Sequence, residues 1–153
     1  MMVNFIATMT MAIGLVVSSP KAPHWEDSYG KALQETRSGQ DPLLVVLDKP
    51  QSKEARISPA LLSEDKASGD TSKLLQPYRL CHVDVTTDYG QKVAKAFNAK
   101  EFPHVAIIDK TGSMVIYKKT GQIDSAEWQK ILTSHKTGER PSSYCPNCQR
   151  NKF

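Results

Sequence analysis

The stretch NAKEFPHVAIIDKTGSMVIYKKTG, residues 98–121, carries the pattern that decides the fold. It contains two runs of strand length, HVAIID and SMVIYKK, which the turn sequence KTG separates, so it predicts a β-hairpin. Pro103 opens the first run, although proline has no N–H group to donate to a sheet ladder. The stretch therefore predicts two paired strands with an unusual proline at their entry.

The residues on either side of the hairpin predict alternating strands and helices. LLVVL, residues 43–47, is a continuous apolar run typical of a central strand that is covered on both faces. YRLCHVDV, residues 78–85, predicts a further strand. Helical spacing predicts helices over residues 24–40, 57–67, 88–97 and 124–135, with a loop at SGDTS, residues 68–72. This order predicts an α/β fold with a mixed central sheet and helices on both faces.

From about residue 25 to about residue 135 the order of elements, together with FNAKEFPH at residues 97–104, resembles the thioredoxin family. The resemblance implies a thioredoxin-like three-layer α/β/α sandwich. The cis proline of that family falls on Pro103, and the glycine that follows its fourth strand falls on Gly121. A cis X–Pro bond costs only about 0.5–1 kcal/mol, so tertiary packing is able to fix it.

The active-site residues of the family are absent from the matching positions. Its two cysteines fall on Ser52 and Ala55, the aromatic before them on Gln51, and the buried acid on Val46. An alcohol has a far higher pKa than a thiol, and the sequence shows no His/Asp arrangement that would activate it. We therefore expect no catalysis at Ser52 or Ala55, and interpret Ser52 as a helix N-cap.

Three regions are predicted along the chain. Residues 1–22 are apolar and uncharged up to Lys21, which predicts a secretory signal peptide or an uncleaved membrane anchor. Residues 23–136 form the thioredoxin-like domain, and residues 137–153 a flexible tail. The protein is then exported, either secreted or periplasmic, and meets a membrane only if the first segment is an anchor.

The charge pattern does not predict a nucleic-acid partner. The net charge is +4, and the lysines and arginines are scattered rather than gathered into a basic run interleaved with aromatic residues.

The three cysteines have different interpretations. Cys81 lies in a predicted strand and is expected to be a buried structural residue. Cys145 and Cys148 form a C-x-x-C pair in the polar tail, and three hypotheses remain open for them. They form a disulfide, they are half of a zinc site that His135 or a second chain completes, or they are a mobile dithiol.

The thioredoxin-like fold has one way of binding a partner that does not require a thiol. In the family the backbone beside the cis proline pairs with an extended peptide. The first hypothesis is therefore a non-catalytic domain, without a cofactor, that binds a protein or peptide partner. The predicted binding residues are Pro50, Gln51, Ser52, Phe102, Pro103 and His104, with His104 as a partly exposed residue at the strand start. The alternatives are a thiol-disulfide oxidoreductase that uses Cys145 and Cys148, and a tail that binds zinc and bridges two chains.

Overall fold

A computed structural model describes residues 24–63 and 70–141 of the chain. The predicted signal segment and the pair Cys145 and Cys148 lie outside the described residues. Within the described ranges, no helix has the length and apolar character needed to cross a membrane.

A five-stranded mixed sheet forms the centre of the fold. Its strands are β1 (Trp25–Glu26), β2 (Leu43–Asp48), β3 (Arg79–Asp84), β4 (His104–Ile108) and β5 (Val115–Thr120). Their order across the sheet is β1-β3-β2-β4-β5. The first three strands are parallel to one another, and β4 runs antiparallel to both β2 and β5. All six residues of β2 are buried, as its continuous apolar sequence predicts.

Helices cover both faces of the sheet, which confirms the α/β prediction. Helices α1 (Tyr29–Gly39) and α4 (Asp88–Ala96) pack on one face. Helices α2 (Pro59–Leu62), α3 (Asp70–Leu75) and α5 (Ser125–His135) pack on the other. Alternate β2 residues point to opposite faces, so Val45 enters the first core and Val46 the second.

Two local predictions were wrong. The helix predicted from residue 24 begins at Tyr29, because Ser28 caps it by accepting a hydrogen bond from the Lys31 N–H, and the preceding residues form β1 instead. The loop predicted over residues 68–72 contains the start of α3 at Asp70, where the carboxylate stands in the first turn. Both segments are short, and contacts distant in sequence hold them: Trp25 Nε1 donates to the Leu62 carbonyl at 2.8 Å.

The segment 137–141, predicted to begin a flexible tail, packs against the β4–β5 turn instead. Lys110 N–H donates to the Gly138 carbonyl at 3.1 Å, and Arg140 Nε donates to Asp109 Oδ2 at 2.8 Å. Asp109 is 1% exposed and also accepts from the backbone N–H of Ser113. The folded domain therefore extends at least to residue 141.

Asp109 is expected to make the free energy of unfolding depend on pH in the acidic range. Burial alone would raise its pKa, but hydrogen bonds from Thr111, Ser113, Arg140 and Met114 outweigh burial and lower the pKa to about 2. The ordinary pKa of an aspartate is about 4. The ionised Asp109 carboxylate therefore makes its full contribution to the free energy of unfolding above pH 4, and this contribution is lost as the pH falls toward 2. We predict that Asp109→Asn lowers the free energy of unfolding at neutral pH by roughly 2 kcal/mol.

Urea denaturation from pH 7 down to pH 2 measures this effect. The difference between wild type and Asp109→Asn should stay constant down to about pH 4 and then shrink. Asp27→Asn, at an exposed residue, serves as the control. A difference that persists unchanged at pH 2 would show that the carboxylate charge is not the cause.

Candidate functional site

The candidate site lies at the end of the sheet where β2 ends and β4 begins. Leu47 pairs with His104 across the two strands, so the loop after Asp48 and the bend before β4 emerge together. The Phe102–Pro103 peptide bond is cis. Lys49 Nζ stands 5.5 Å from the centre of the Phe102 ring, a cation–π contact that joins the loop to the bend.

Ser52 lies in a series of turns rather than at a helix start. Its N–H donates to the Lys49 carbonyl at 2.9 Å, and its carbonyl accepts from Ala55 N–H at 3.2 Å. The next helix is α2, in which proline occupies the first position, Pro59. The N-cap prediction for Ser52 was therefore wrong, because the backbone here closes turns before any helix begins. Ser52 also receives no stabilisation from a helix dipole.

Asp48 is the buried centre of this end of the sheet. Its side chain is 2% exposed, its Oδ2 accepts from Ile57 N–H at 3.0 Å, and its Oδ1 lies 2.8 Å from His82 Nε2. A carboxylate only accepts hydrogen bonds, so Nε2 is the donor. Asp48 stands two residues after Val46 on the same face. The sequence analysis did not predict the Asp48–His82 pair. The one signal for it in the sequence is an acidic residue directly after the apolar run of residues 43–47.

The connection from β5 to α5 fixes both the loop and the bend. Gln122 Nε2 donates to the carbonyls of Glu54 at 2.8 Å and of Arg56 at 3.1 Å. Gly121 N–H donates to the Pro103 carbonyl at 2.8 Å. The amide side chain thus ties down a loop that has no disulfide, a role that nothing in the sequence indicated.

The predicted binding residues differ in exposure. Gln51 is exposed, and Pro50, Ser52 and Phe102 are half-buried, whereas Pro103 is buried. Within the described residues, neither the N–H nor the carbonyl of Phe102 makes a hydrogen bond. The bend thus offers one half-buried ring and one backbone unit with both hydrogen-bonding groups free.

His104 is buried, at 4% exposed, so the expectation of a partly exposed residue was wrong. The Oγ1 atom of Thr120 on β5 lies 2.9 Å from His104 Nδ1, and the centroids of the Phe97 and His104 rings lie 6.4 Å apart. Burial lowers the pKa of His104, and the charge of Lys118 lowers it further. The neighbouring strand and helix cover the imidazole, so its side chain is not available to a partner without rearrangement.

Cys81 is fully buried between the sheet and helices α1 and α4, which confirms its structural interpretation. Burial raises the pKa of its thiol to about 12, so the sulfur does not act as a nucleophile at neutral pH. Residues 24–63 and 70–141 contain no group of three or more His, Cys, Asp or Glu side chains placed to hold a metal ion.

Solved structures share this architecture. A thioredoxin from Thermus thermophilus matches at 18% identity with a TM-score of 0.59, over 74% of this chain and 87% of its own. The chain has a thioredoxin-like fold. Thioredoxin O2 from Arabidopsis thaliana in its oxidized state matches at 13% identity with a TM-score of 0.54, over 74% of this chain and 93% of its own.

A mutant thioredoxin from Halobacterium salinarum matches at 15% identity and a TM-score of 0.55, over 78% of this thioredoxin-like chain and 96% of its own. No family model and no curated protein matches the sequence. Identities this low establish the fold alone.

Asp48→Ala is expected to lower the free energy of unfolding by about 2–4 kcal/mol, because it leaves the Ile57 N–H and the His82 ring without their acceptor. Asp48→Asn, which keeps the shape and one acceptor oxygen, should cost less. Urea denaturation measures both. Lys53→Ala, at an exposed position of the same loop, is the control. Equal stability of Asp48→Ala and Lys53→Ala would contradict the anchoring role of Asp48.

Proposed function

We propose that this protein is a non-catalytic, exported thioredoxin-like domain that binds an extended segment of a partner protein beside the Phe102–Pro103 bend. The observation that carries the proposal is the free backbone of Phe102 next to a half-buried ring, in a chain without thiols at residues 52 and 55. Export rests on the composition of the first 22 residues.

Backbone pairing supplies the binding energy in this proposal. A partner segment in extended conformation donates to the Phe102 carbonyl and accepts from its N–H, as a strand does when it joins a sheet edge. Pro50, Gln51 and Ser52 form the opposite side of the binding surface. The bonds from Gln122 to the loop carbonyls order that side before the partner arrives, which reduces the entropy lost on binding.

The chemistry of Ser52 favours binding over catalysis. Its hydroxyl makes no hydrogen bond with a base among the described residues, and His82, the imidazole paired with Asp48, donates its Nε2 proton to that carboxylate. An unactivated alcohol is a weak nucleophile at neutral pH.

The oxidoreductase alternative depends on how far the tail reaches. Arg140 is held at Asp109, which follows the end of β4 that is remote from Pro103. Asp109 and Pro103 are six residues apart along extended chain, about 20 Å. Cys145 follows Arg140 by five residues, at most about 18 Å of extended chain, so a reaction at the bend would require an almost fully extended chain or release of Arg140.

The zinc alternative would use His135 through one ring nitrogen. His135 Nδ1 lies 2.9 Å from the Ile131 carbonyl, so this nitrogen donates within its own helix. Only Nε2 is left for a metal that also needs ligands from beyond Cys145 and Cys148.

Phe102→Asp is expected to weaken peptide capture by at least about tenfold, because it removes apolar contact and adds a charge beside the paired backbone. Peptides selected from a random display library on the wild-type domain are the probes, and fluorescence anisotropy measures their binding. Val115→Asp, which places the same charge at an exposed apolar residue of β5, should bind as wild type does.

A second measurement tests backbone pairing without changing the protein. Methylation of a single amide nitrogen in a selected peptide should abolish binding at the one position whose N–H donates to the Phe102 carbonyl, because Phe102 is the backbone unit that the proposal pairs with the partner. Unchanged capture by Phe102→Asp, or no sensitive position in the methylation series, would show that the partner binds elsewhere.

Grafting cysteines at Ser52 and Ala55 tests why the loop is inert. The Ala55 N–H to Ser52 carbonyl bond closes a turn, which keeps the two Cα atoms within disulfide distance. We expect the double variant to form a disulfide on oxidation but to reduce insulin slowly, since no helix begins at residue 52 to lower the thiol pKa. Turnover comparable with that of a thioredoxin would contradict this. Cys145→Ser with Cys148→Ser should leave peptide capture unchanged.

A further inference from the structure

A cavity of about 210 Å³ opens between the loop and β3, on the side of the loop where Asp48 is buried. Its walls are mostly apolar, from Pro50, Ile57, Pro59 and Leu62. Two side chains on its lining, Arg56 and His82, each carry at least one nitrogen that makes no hydrogen bond within the part of the chain that the structure describes.

Arg56 brings a permanent positive charge to this cavity. The residue is half-buried, and its backbone is fixed by the Gln122 amide at 3.1 Å. Its guanidinium makes no ion pair and no hydrogen bond among the described residues. Guanidinium stays protonated in proteins and matches a carboxylate with two parallel N–H donors. A half-buried arginine that has no acidic partner among residues 24–63 and 70–141 is a candidate site for an anion.

His82 lies on the same wall as Arg56. Its Nε2 is occupied by Asp48, and the centroids of the Trp25 and His82 rings lie 6.1 Å apart in a T-shaped arrangement. Its Nδ1 has no partner among the described residues, and 30% of the side chain is exposed. The ring therefore forms a polar part of the cavity wall beside Arg56.

The charges define the class of ligand. Asp48 is negative, but both of its carboxylate oxygens are already occupied, Oδ2 by the Ile57 N–H and Oδ1 by His82 Nε2. Arg56 therefore brings the positive charge that a ligand in this cavity meets. One singly charged carboxylate neutralises it, whereas a doubly charged phosphate leaves an uncompensated charge against the buried carboxylate. We infer that this cavity is a subsite that binds the side-chain carboxylate of a glutamate or aspartate in the partner segment.

This inference rests on the proposed function, because it names a side chain of the same bound segment. Pro50 is the connecting residue: it lines the cavity and also belongs to the predicted peptide-binding surface. A segment paired with Phe102 and running along the loop would turn alternate side chains toward the protein.

The subsite can be tested without knowing the partner. N-acetyl-glutamate N-methylamide and its glutamine counterpart are titrated into the protein, and NMR follows the His82 ring and the Arg56 side-chain N–H. The acid should bind about tenfold more tightly than the amide, because its hydrogen bonds are charge-assisted.

Matched variants separate the local site from general charge. Arg56→Gln should lose about tenfold in affinity for the acid, and Arg56→Lys should recover part of it, since lysine keeps the charge without the two-pronged geometry. Lys53→Gln makes the same charge change at an exposed position of the loop and should bind as wild type does. Equal losses for Arg56→Gln and Lys53→Gln, or equal binding of acid and amide, would overturn the inference.

A further probe separates the possible sources of the carboxylate. N-acetyl-glutamine with a free main-chain carboxylate should bind no better than the neutral amide. If it binds as tightly as the glutamate probe, the cavity accepts chain termini and the assignment to an acidic side chain fails. The peptide experiments remain independent of this test. If the glutamate probe does not bind but peptide capture still depends on Phe102, only the subsite is disproved. If the probe binds as expected but peptide capture does not depend on Phe102, only the proposed function is disproved.

Discussion

The two hydrogen bonds that the Asp48 carboxylate accepts are the interaction on which this end of the molecule depends. They join the last residue of the central strand to the loop at Ile57 and to the neighbouring strand at His82. A carboxylate that is 2% exposed is tolerated only because N–H donors replace the lost water. The loop and its cavity take their positions from this group, and the Gln122 amide adds a second attachment to the loop.

The loop at this end of the sheet is held by turns and by one amide side chain. Turns close the segment from Lys49 to Ala55, and the Gln122 amide holds the carbonyls that follow. No sulfur is needed for either. The cation–π contact between Lys49 and Phe102 then joins the loop to the bend, so that the two form one continuous surface.

Local patterns were sufficient for much of the fold and failed where distant contacts decide. The hairpin, β2 and α5 with its Asp124 cap follow from periodicity and capping, which involve near neighbours in sequence. The Asp48–His82 pair joins residues 34 positions apart, so only the strand pairing brings them together. Likewise the burial of His104 comes from β5 and α4, elements that no local window includes.

The bond from Arg140 to Asp109 has a consequence for anything attached beyond residue 141. The last described residues lie at the pole remote from the Phe102–Pro103 bend. A resin or a protein joined directly after residue 141 would therefore lie at that pole and would leave the loop open to solution.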